Sequence, residues 1–211
     1  MSFVQLPYLR ILDGDAEAFG GNQSWDAKRT VREGACGPVA ATGLVCYLEG
    51  RSRMERADFM KRMNRLRRSF FPMVPYLGSN AVILALGLNL YFITHRMHYR
   101  AFWALSRKKQ FTRMEEMLRR DVPVILCIGN NLPRFWRKGK LTLYRRNSDG
   151  TMSVHTRTNA HFVTVTELGD EWMGVSSWGK KLYVRRSEWE DYVKNYSCAA
   201  LSNIVYVKKT R

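Results

Sequence analysis

The spacing of apolar residues changes near residue 120, and this change constrains the fold more than any other feature of the sequence. Before it, apolar residues recur at the three- and four-residue intervals of amphipathic helices. After it, short apolar or alternating segments are separated by turn residues such as Asp149-Gly150 and Gly169-Asp170, a pattern typical of hairpins. Helices followed by strands predict an α+β fold with an antiparallel sheet.

The predicted elements follow from this pattern and from turn and capping residues. After an extended lead-in of about twenty residues, helices are predicted over residues 36–50, 52–68, 79–90, 99–105 and 112–120, with a short one capped by Ser187. Ser52 and Thr112 each begin a capping-box pattern. Strands are predicted over residues 122–128, 141–146, 152–158, 161–168, 172–178, 182–185 and 203–208.

Length and hydropathy favour one globular domain. The chain has 211 residues, of which 45% are apolar, so we expect a single domain over residues 1–211, with a helical lobe at about 20–120 and a β lobe at about 121–211. The longest apolar run, residues 81–93, is interrupted by Asn89 and is too short to span a bilayer, so it predicts a buried helix. No secretory signal is visible, which predicts a cytoplasmic location, although export by another route stays open.

The formal net charge of +17 is unusual. Such a surface attracts nucleic acid, anionic lipid or acidic protein, and it also fits a solvated basic surface or an acidic substrate. No zinc finger or aromatic RNA-binding motif is present, which argues against specific nucleic-acid binding, while a helix-turn-helix stays open. The charge therefore fits an acidic partner or substrate, and it does not by itself decide which kind.

The four cysteines are not arranged for metal or redox chemistry. None forms a C-x-x-C pair, so a zinc or thioredoxin-type site is not expected. Cys46 and Cys127 have apolar neighbours and are predicted to be small buried residues in a reducing compartment. His95 and His98 lie three residues apart without an identifiable third ligand. We therefore expect no metal and no cofactor.

Cys36 stands at the beginning of a predicted helix. The partial positive charge at a helix N-terminus favours the thiolate, which is the nucleophilic form of cysteine. Gly34 and Gly37 leave room for a substrate to approach. The alternative is a small buried residue at a turn, and Cys36 alone does not decide between the two.

His161 opens a predicted strand in which residues 161–166 alternate between two faces. It shares a face with Val163 and Val165, so its side chain is expected to point inward or into a cleft. An inward histidine on a strand is more commonly a hydrogen-bonded core residue than a catalytic base, and both interpretations stay open at this point.

The order and spacing of the two residues connect them. Cys36 precedes His161 by 125 residues, near the Cys-to-His interval of papain-like enzymes. Residues 34–41 (GACGPVAA) resemble the nucleophile helix of papain-like cysteine peptidases, in particular the bacterial branch related to bacteriocin-leader peptidases. Residues 160–165 (AHFVTV) resemble the histidine strand of that superfamily, and residues 176–179 (SSWG) resemble its Asn-Ser-Trp-Gly motif. Residues 118–128 also match the usual lead-in to the first strand of the sheet.

The resemblance implies a mechanism and roles for particular residues. His161 would remove the thiol proton of Cys36, the thiolate would attack a carbonyl, and water would hydrolyse the resulting thioester. The oxyanion would be held by the backbone N–H of Cys36 and a side-chain amide. Gln23 is the candidate for that amide and Asn22 is the alternative, and both are also typical turn residues beside glycines.

The resemblance also assigns a third position, where this chain differs from the family. Family members orient the histidine with Asn or Asp, and the matching residue here is Ser176. A two-residue turn at Gly169-Asp170 would set Ser176 opposite Val163, as a diagonal neighbour of His161 on the same face. A three-residue turn would place Ser177 there instead. Trp178 would shield the pair from solvent or simply pack in the core.

Three functions are compatible with these residues. The first is a cysteine peptidase that hydrolyses peptide or isopeptide bonds. The second is an acyltransferase or amidase that uses the same thioester. The third is an inactive papain-like binding protein with a basic surface, which the loss of the family's Asn or Asp favours.

Overall fold

The computed structural model describes residues 1–73, 79–104, 106–129, 131–132 and 136–210. Its helices are α1 (Arg29–Gly34), α2 (Cys36–Leu48), α3 (Arg56–Ser69), α4 (Ala81–Thr94), α5 (Arg107–Arg119) and α6 (Arg186–Asn195). A short 3-10 helix, Gln23–Trp25, precedes α1. No helix within the described ranges has the length and apolar character needed to cross a membrane.

The strands divide between a large and a small sheet. They are β1 (Ser2–Phe3), β2 (Arg10–Asp13), β3 (Ala16–Phe19), β4 (Arg53–Glu55), β5 (Tyr99–Ala104), β6 (Val124–Ile128), β7 (Leu141–Arg146), β8 (Met152–Thr158), β9 (His161–Leu168), β10 (Trp172–Ser177), β11 (Lys180–Arg185) and β12 (Asn203–Lys209). The large sheet runs β5-β12-β6-β9-β10-β11-β7-β8, and β1 adds to β9. Its pairings are antiparallel, as the sequence predicted, whereas β2 and β4 of the small sheet are parallel.

The main apolar core lies between the helices and the large sheet. Leu44 and Val45 of α2 and Leu84 of α4 are completely buried, as is Val163 of β9. Helix α2 packs directly against β9. Because Cys36 begins this helix and His161 begins this strand, the core that joins the two elements also determines how the two side chains approach each other.

Several predicted elements are confirmed, including helix α2 and the two hairpins formed by β7–β8 and β9–β10. The predicted inner face of α3 is also confirmed, since Phe59, Met63 and Leu66 are buried. Three other helices, α3, α4 and α5, begin at residues that differ from those predicted. Helix α3 begins at Arg56 because residues 53–55 pair with β2, α4 is capped by Asn80, and α5 begins at Arg107.

The helix predicted over residues 99–105 was wrong. Residues 99–104 form β5, which pairs with β12, and residue 105 lies outside the described residues. Ala101 and Ala104 are its buried positions, and this three-residue spacing imitates a helical pattern. The open side of the strand is occupied by Asn89 of α4, whose amide accepts from the Ala101 N–H at 2.8 Å and donates to the Ala101 carbonyl at 2.9 Å.

Helix α4 is also less buried than its composition predicted. One face packs in the core, but Leu86, Leu90 and Ile93 are 59%, 50% and 75% exposed. The helix carries no charged residue, so the sequence offered no polar stripe from which an exposed face could be recognised.

Candidate active site

Cys36 is the first residue of α2, directly after the short helix α1. Its thiol is partly buried and is not in a disulfide. The sulfur faces the backbone N–H groups of Cys36, Gly37 and Phe162, and each of these lowers the pKa of the thiol. The first two belong to the helix N-terminus, as the sequence predicted, and the third comes from β9.

Burial outweighs these N–H groups in the free protein. Removing the thiolate from water is the largest effect on Cys36, and it raises the pKa of the thiol above its usual value of 9.0. Burial therefore opposes the thiolate that the helix N-terminus favours, and a neighbouring base would assist its formation.

His161 lies at the start of β9 and is 5% exposed. Burial disfavours the imidazolium and lowers the pKa of His161 to about 3, so the ring is neutral at physiological pH. Its Nε2 lies 2.8 Å from the Ser177 Oγ. When Nε2 carries the proton and donates it to Ser177, Nδ1 has a free lone pair and can accept a proton.

Ser177, and not Ser176, is the serine that contacts His161. The Ser176 hydroxyl instead donates to the Phe19 carbonyl at 2.8 Å, so the orienting role predicted for Ser176 needs correction. The reason is the register of the β9–β10 hairpin. Leu168 pairs with Met173, and a bulge at Thr166 then shifts the register by one, so that Thr164 pairs with Ser176.

The bulge places Ser177 where a simple two-residue turn would have placed Ser176. Continuing the register sets Ser177 opposite Val163, on the face that carries His161. This is the outcome that a three-residue turn would also give, which the sequence left open. A serine hydroxyl is shorter than an asparagine amide and uncharged, so it can orient the neutral ring but adds little to the stability of an imidazolium.

Trp178 covers the ring of His161. Trp178 and Gly179 connect β10 to β11 as a two-residue turn, with φ of 48° and 73°, so both have the positive φ that such turns require. A tryptophan in this conformation is strained. In this backbone conformation the indole of Trp178 stacks parallel to the imidazole of His161, with ring centroids 4.1 Å apart and an angle of 11° between the planes. Trp178 therefore shields one face of the ring from water.

The two candidates for the oxyanion amide have different surroundings. Asn22 caps the 3-10 helix by accepting from the Ser24 N–H at 2.9 Å, which occupies its side-chain oxygen. Gln23 lines a narrow pocket together with Cys36, His161 and Ser177. Its Nε2 donates to the Arg32 carbonyl at 3.0 Å. Of the two residues, Gln23 is the one that reaches the pocket.

Cys36 and His161 also line a wider cavity of about 400 Å³, which we call the thiol cavity. Its described walls are largely apolar and include Ile83, Phe162 and Leu201. The cavity brings together a thiol, a neutral imidazole and space for a substrate. The sequence could not indicate the Phe162 N–H that faces the sulfur, because a backbone group carries no residue-type signal.

The architecture defines the class of fold. A large antiparallel sheet packed against helices matches the fold of a solved protein described as a C39-like peptidase. A crystal structure of a proposed C39-like peptidase from Bacillus anthracis is similar to this chain with a TM-score of 0.53. The similarity covers 100% of each chain at 13% sequence identity, and at this identity it establishes the fold.

Neither a family model nor a curated protein matches the sequence. The likeness in structure therefore concerns the fold, and the candidate site residues rest on the geometry and on the sequence motifs.

The two serines allow a paired test of the orienting role. If His161 takes part in a reaction, Ser177→Ala should lower kcat about tenfold, because it removes the hydrogen bond that holds the ring. Ser176→Ala should change kcat less and should instead lower the free energy of unfolding by about 1 kcal/mol, through loss of the bond to Phe19. Steady-state kinetics and denaturant unfolding of both variants measure this. Equal kcat values for the two variants would contradict the assignment of Ser177.

Proposed function

We propose that the chain is a cysteine peptidase that hydrolyses peptide or isopeptide bonds through a thioester on Cys36. The observation that carries the proposal is that Cys36 and His161 both line the thiol cavity. The C39-like peptidase fold supports it. The proposed substrate is a protein or peptide, and a reducing, cytoplasmic setting suits a nucleophile that must stay a free thiol.

The proposed reaction begins with both groups uncharged. When a substrate carbonyl approaches, Nδ1 of His161 accepts the thiol proton while the sulfur attacks the carbonyl carbon. The imidazolium then gives the proton to the leaving amine, and the acyl group stays on Cys36 as a thioester. Water, deprotonated by His161, attacks the thioester and releases the carboxylic acid and the free thiol.

The oxyanion of each tetrahedral intermediate needs donors. We assign this role to the Cys36 backbone N–H and to Gln23. One Gln23 amide hydrogen is engaged with the Arg32 carbonyl, and since an amide carries two, the other can reach a substrate oxygen. Burial of the cavity strengthens such hydrogen bonds, because the local dielectric is lower than in water. We further propose that residues 1–211 act as one unit, with a helical lobe at about 20–120 and a β lobe at about 121–211.

A second candidate is an inactive papain-like binding protein. It is favoured by the directions of the two pKa shifts, since burial raises the pKa of Cys36 and lowers that of His161 and both changes oppose an ion pair. It is also favoured by the contact of His161 with the hydroxyl of Ser177, where family members use the more strongly orienting Asn or Asp.

A trapping experiment separates these functions. The protein is incubated with a proteome-derived peptide library in buffer with and without hydroxylamine, and the products are identified by mass spectrometry. A thioester intermediate predicts new carboxyl termini in buffer and peptide hydroxamates when hydroxylamine competes with water. Cys36→Ala should give neither product. Products formed only with added amines would assign an acyltransferase, and the absence of any product would support the binding protein.

A further inference from the structure

A second cavity lies beside the thiol cavity and is lined by basic side chains. It has a volume of about 650 Å³, and we call it the basic cavity. Lys138, Lys140 and Arg157 supply three positive charges to its walls, and Asn131 and Asn159 contribute amide groups. No acidic residue is among its described lining residues.

The three cations of the basic cavity have no carboxylate partner within the described part of the chain. Some cations elsewhere on this basic protein are paired, as in the contacts of Arg62 with Glu49 and of Lys208 with Glu116. Unpaired cations around a concave surface repel one another and concentrate positive potential within it. An anionic group that enters the cavity relieves this repulsion.

The segment that carries the two lysines is held in place. Gly139, between them, lies against the Tyr196 ring so closely that an added Cβ would fall 2.1 Å from a ring carbon. In the amide orientation that satisfies both groups, Asn131 donates to the Gly139 carbonyl at 3.0 Å and accepts from its N–H at 3.3 Å. These contacts restrain the backbone of Gly139 between the two lysines, which lowers part of the entropic cost of binding an anion there.

The basic cavity and the thiol cavity are adjacent along the chain. Asn159 lines the first, and the next residue, Ala160, lines the second. On the neighbouring segment, Gly129 lines the thiol cavity and Asn131 the basic cavity. The Tyr192 hydroxyl contacts the carbonyl oxygens of both Gly129 and Asn159, which holds these segments together. An extended peptide advances about 3.3 Å per residue, so a few residues reach from one cavity to the other.

We propose that the basic cavity binds the carboxylate of an aspartate or glutamate that lies a few residues from the scissile bond of the substrate. Lys138, Lys140 and Arg157 form charge-assisted hydrogen bonds to the carboxylate oxygens. This specificity rests on the proposed peptidase function, whereas carboxylate binding by the cavity does not. The proposal gives the net charge of +17 a local role in addition to its long-range attraction of acidic chains.

The test measures binding without turnover. Full-length protein with Cys36→Ala is titrated against fluorescein-labelled tetraglutamate and tetraglutamine peptides, and fluorescence anisotropy is recorded at two salt concentrations. The site variant adds Lys138→Ala, Lys140→Ala and Arg157→Ala. A matched control removes three exposed charges from α3 instead, through Lys61→Ala, Arg65→Ala and Arg68→Ala. Both variants lower the net charge equally.

We expect tetraglutamate to bind more tightly than tetraglutamine. The site variant should weaken tetraglutamate binding at least about tenfold and the α3 variant no more than about twofold, because distant surface charges are screened. Equal weakening by both variants would show an effect of net charge alone and would overturn the proposal. So would equal binding of the two peptides, or competition by inorganic phosphate at lower concentration than by free glutamate.

The same variants separate this proposal from the peptidase function. If the peptide library is cleaved, the wild-type products should be enriched in an acidic residue at a fixed distance from the cut, and the site variant should lose that enrichment. Cleavage without any acidic enrichment would overturn the specificity and leave the peptidase function intact. Selective binding of tetraglutamate without cleavage would contradict the peptidase function and the substrate role, and would leave carboxylate binding intact.

Discussion

Replacing Cys36 with alanine should reduce cleavage of the peptide library to background, a loss of at least about 10³-fold in kcat/KM. The reason is chemical, since the proposed reaction has no route to the thioester without the sulfur. The fold should survive, because the substitution removes only one sulfur atom from a partly buried side chain that lines a cavity. Mass-spectrometric quantification of cleavage products measures the loss, and circular dichroism checks the fold.

Cys198 supplies the matched control for this substitution. It is also a partly exposed free cysteine, but it lines neither cavity near the site. Cys198→Ala should keep cleavage within about twofold of wild type. If Cys36→Ala retained cleavage, or if Cys198→Ala abolished it, the assignment of the nucleophile would be wrong.

Replacing His161 with alanine should lower kcat by about 10²–10⁴-fold, the usual contribution of a positioned general base. The effect should be large because burial raises the pKa of Cys36, so that little thiolate exists at neutral pH without the imidazole. The loss should shrink as pH rises toward and beyond the raised pKa of the thiol, where Cys36 ionises without help. Rates at several pH values above neutrality measure this trend.

His155 allows a matched comparison. It is a partly buried histidine whose pKa burial also lowers, but it lies on β8, outside both cavities that contain Cys36. His155→Ala should leave kcat within about twofold of wild type. A similar loss in the two variants would indicate that histidine removal acts through stability, and it would contradict the role of His161 as base.

The sequence predicted the parts of the fold that depend on local pattern. The α2 helix and the β9–β10 hairpin were visible in apolar spacing and turn residues. Motif order suggested that Cys36 and His161 act together, and the structure places both residues on the same cavities. The small sheet was not, because β2 and β4 are separated by forty residues and each is short. Strand β5 was mistaken for a helix because its buried alanines are three residues apart.

The details of the site depended on quantities that a sequence does not display. A bulge at Thr166 determines that Ser177, and not Ser176, faces His161. No residue in the predicted turn indicates this bulge. The pKa of Cys36 results from the opposition of helix N–H groups and desolvation, and the second can be judged only when burial is known. The basic cavity joins Lys138, Lys140 and Arg157 from separate segments, so its unpaired charge was indistinguishable from an ordinary basic surface.

The pH profile of Cys36 alkylation by iodoacetamide tests the central claim most directly. Cys36 is followed by peptide mapping in wild type and in His161→Ala, which distinguishes it from Cys46, Cys127 and Cys198. If His161 accepts the thiol proton, Cys36 of the wild type should react faster than Cys36 of His161→Ala near neutral pH, because burial raises the pKa of the thiol and leaves little free thiolate there. The advantage of the wild type should shrink as the pH rises toward the pKa of the thiol.

In His161→Ala the reaction must proceed through the free thiolate, whose fraction rises about tenfold per pH unit below the pKa of the thiol. The account predicts a wild-type rate above that of His161→Ala near neutral pH, and rates that converge at high pH. Equal rates for the two proteins at every pH would show that His161 does not act on Cys36, and they would contradict the proposed cysteine peptidase.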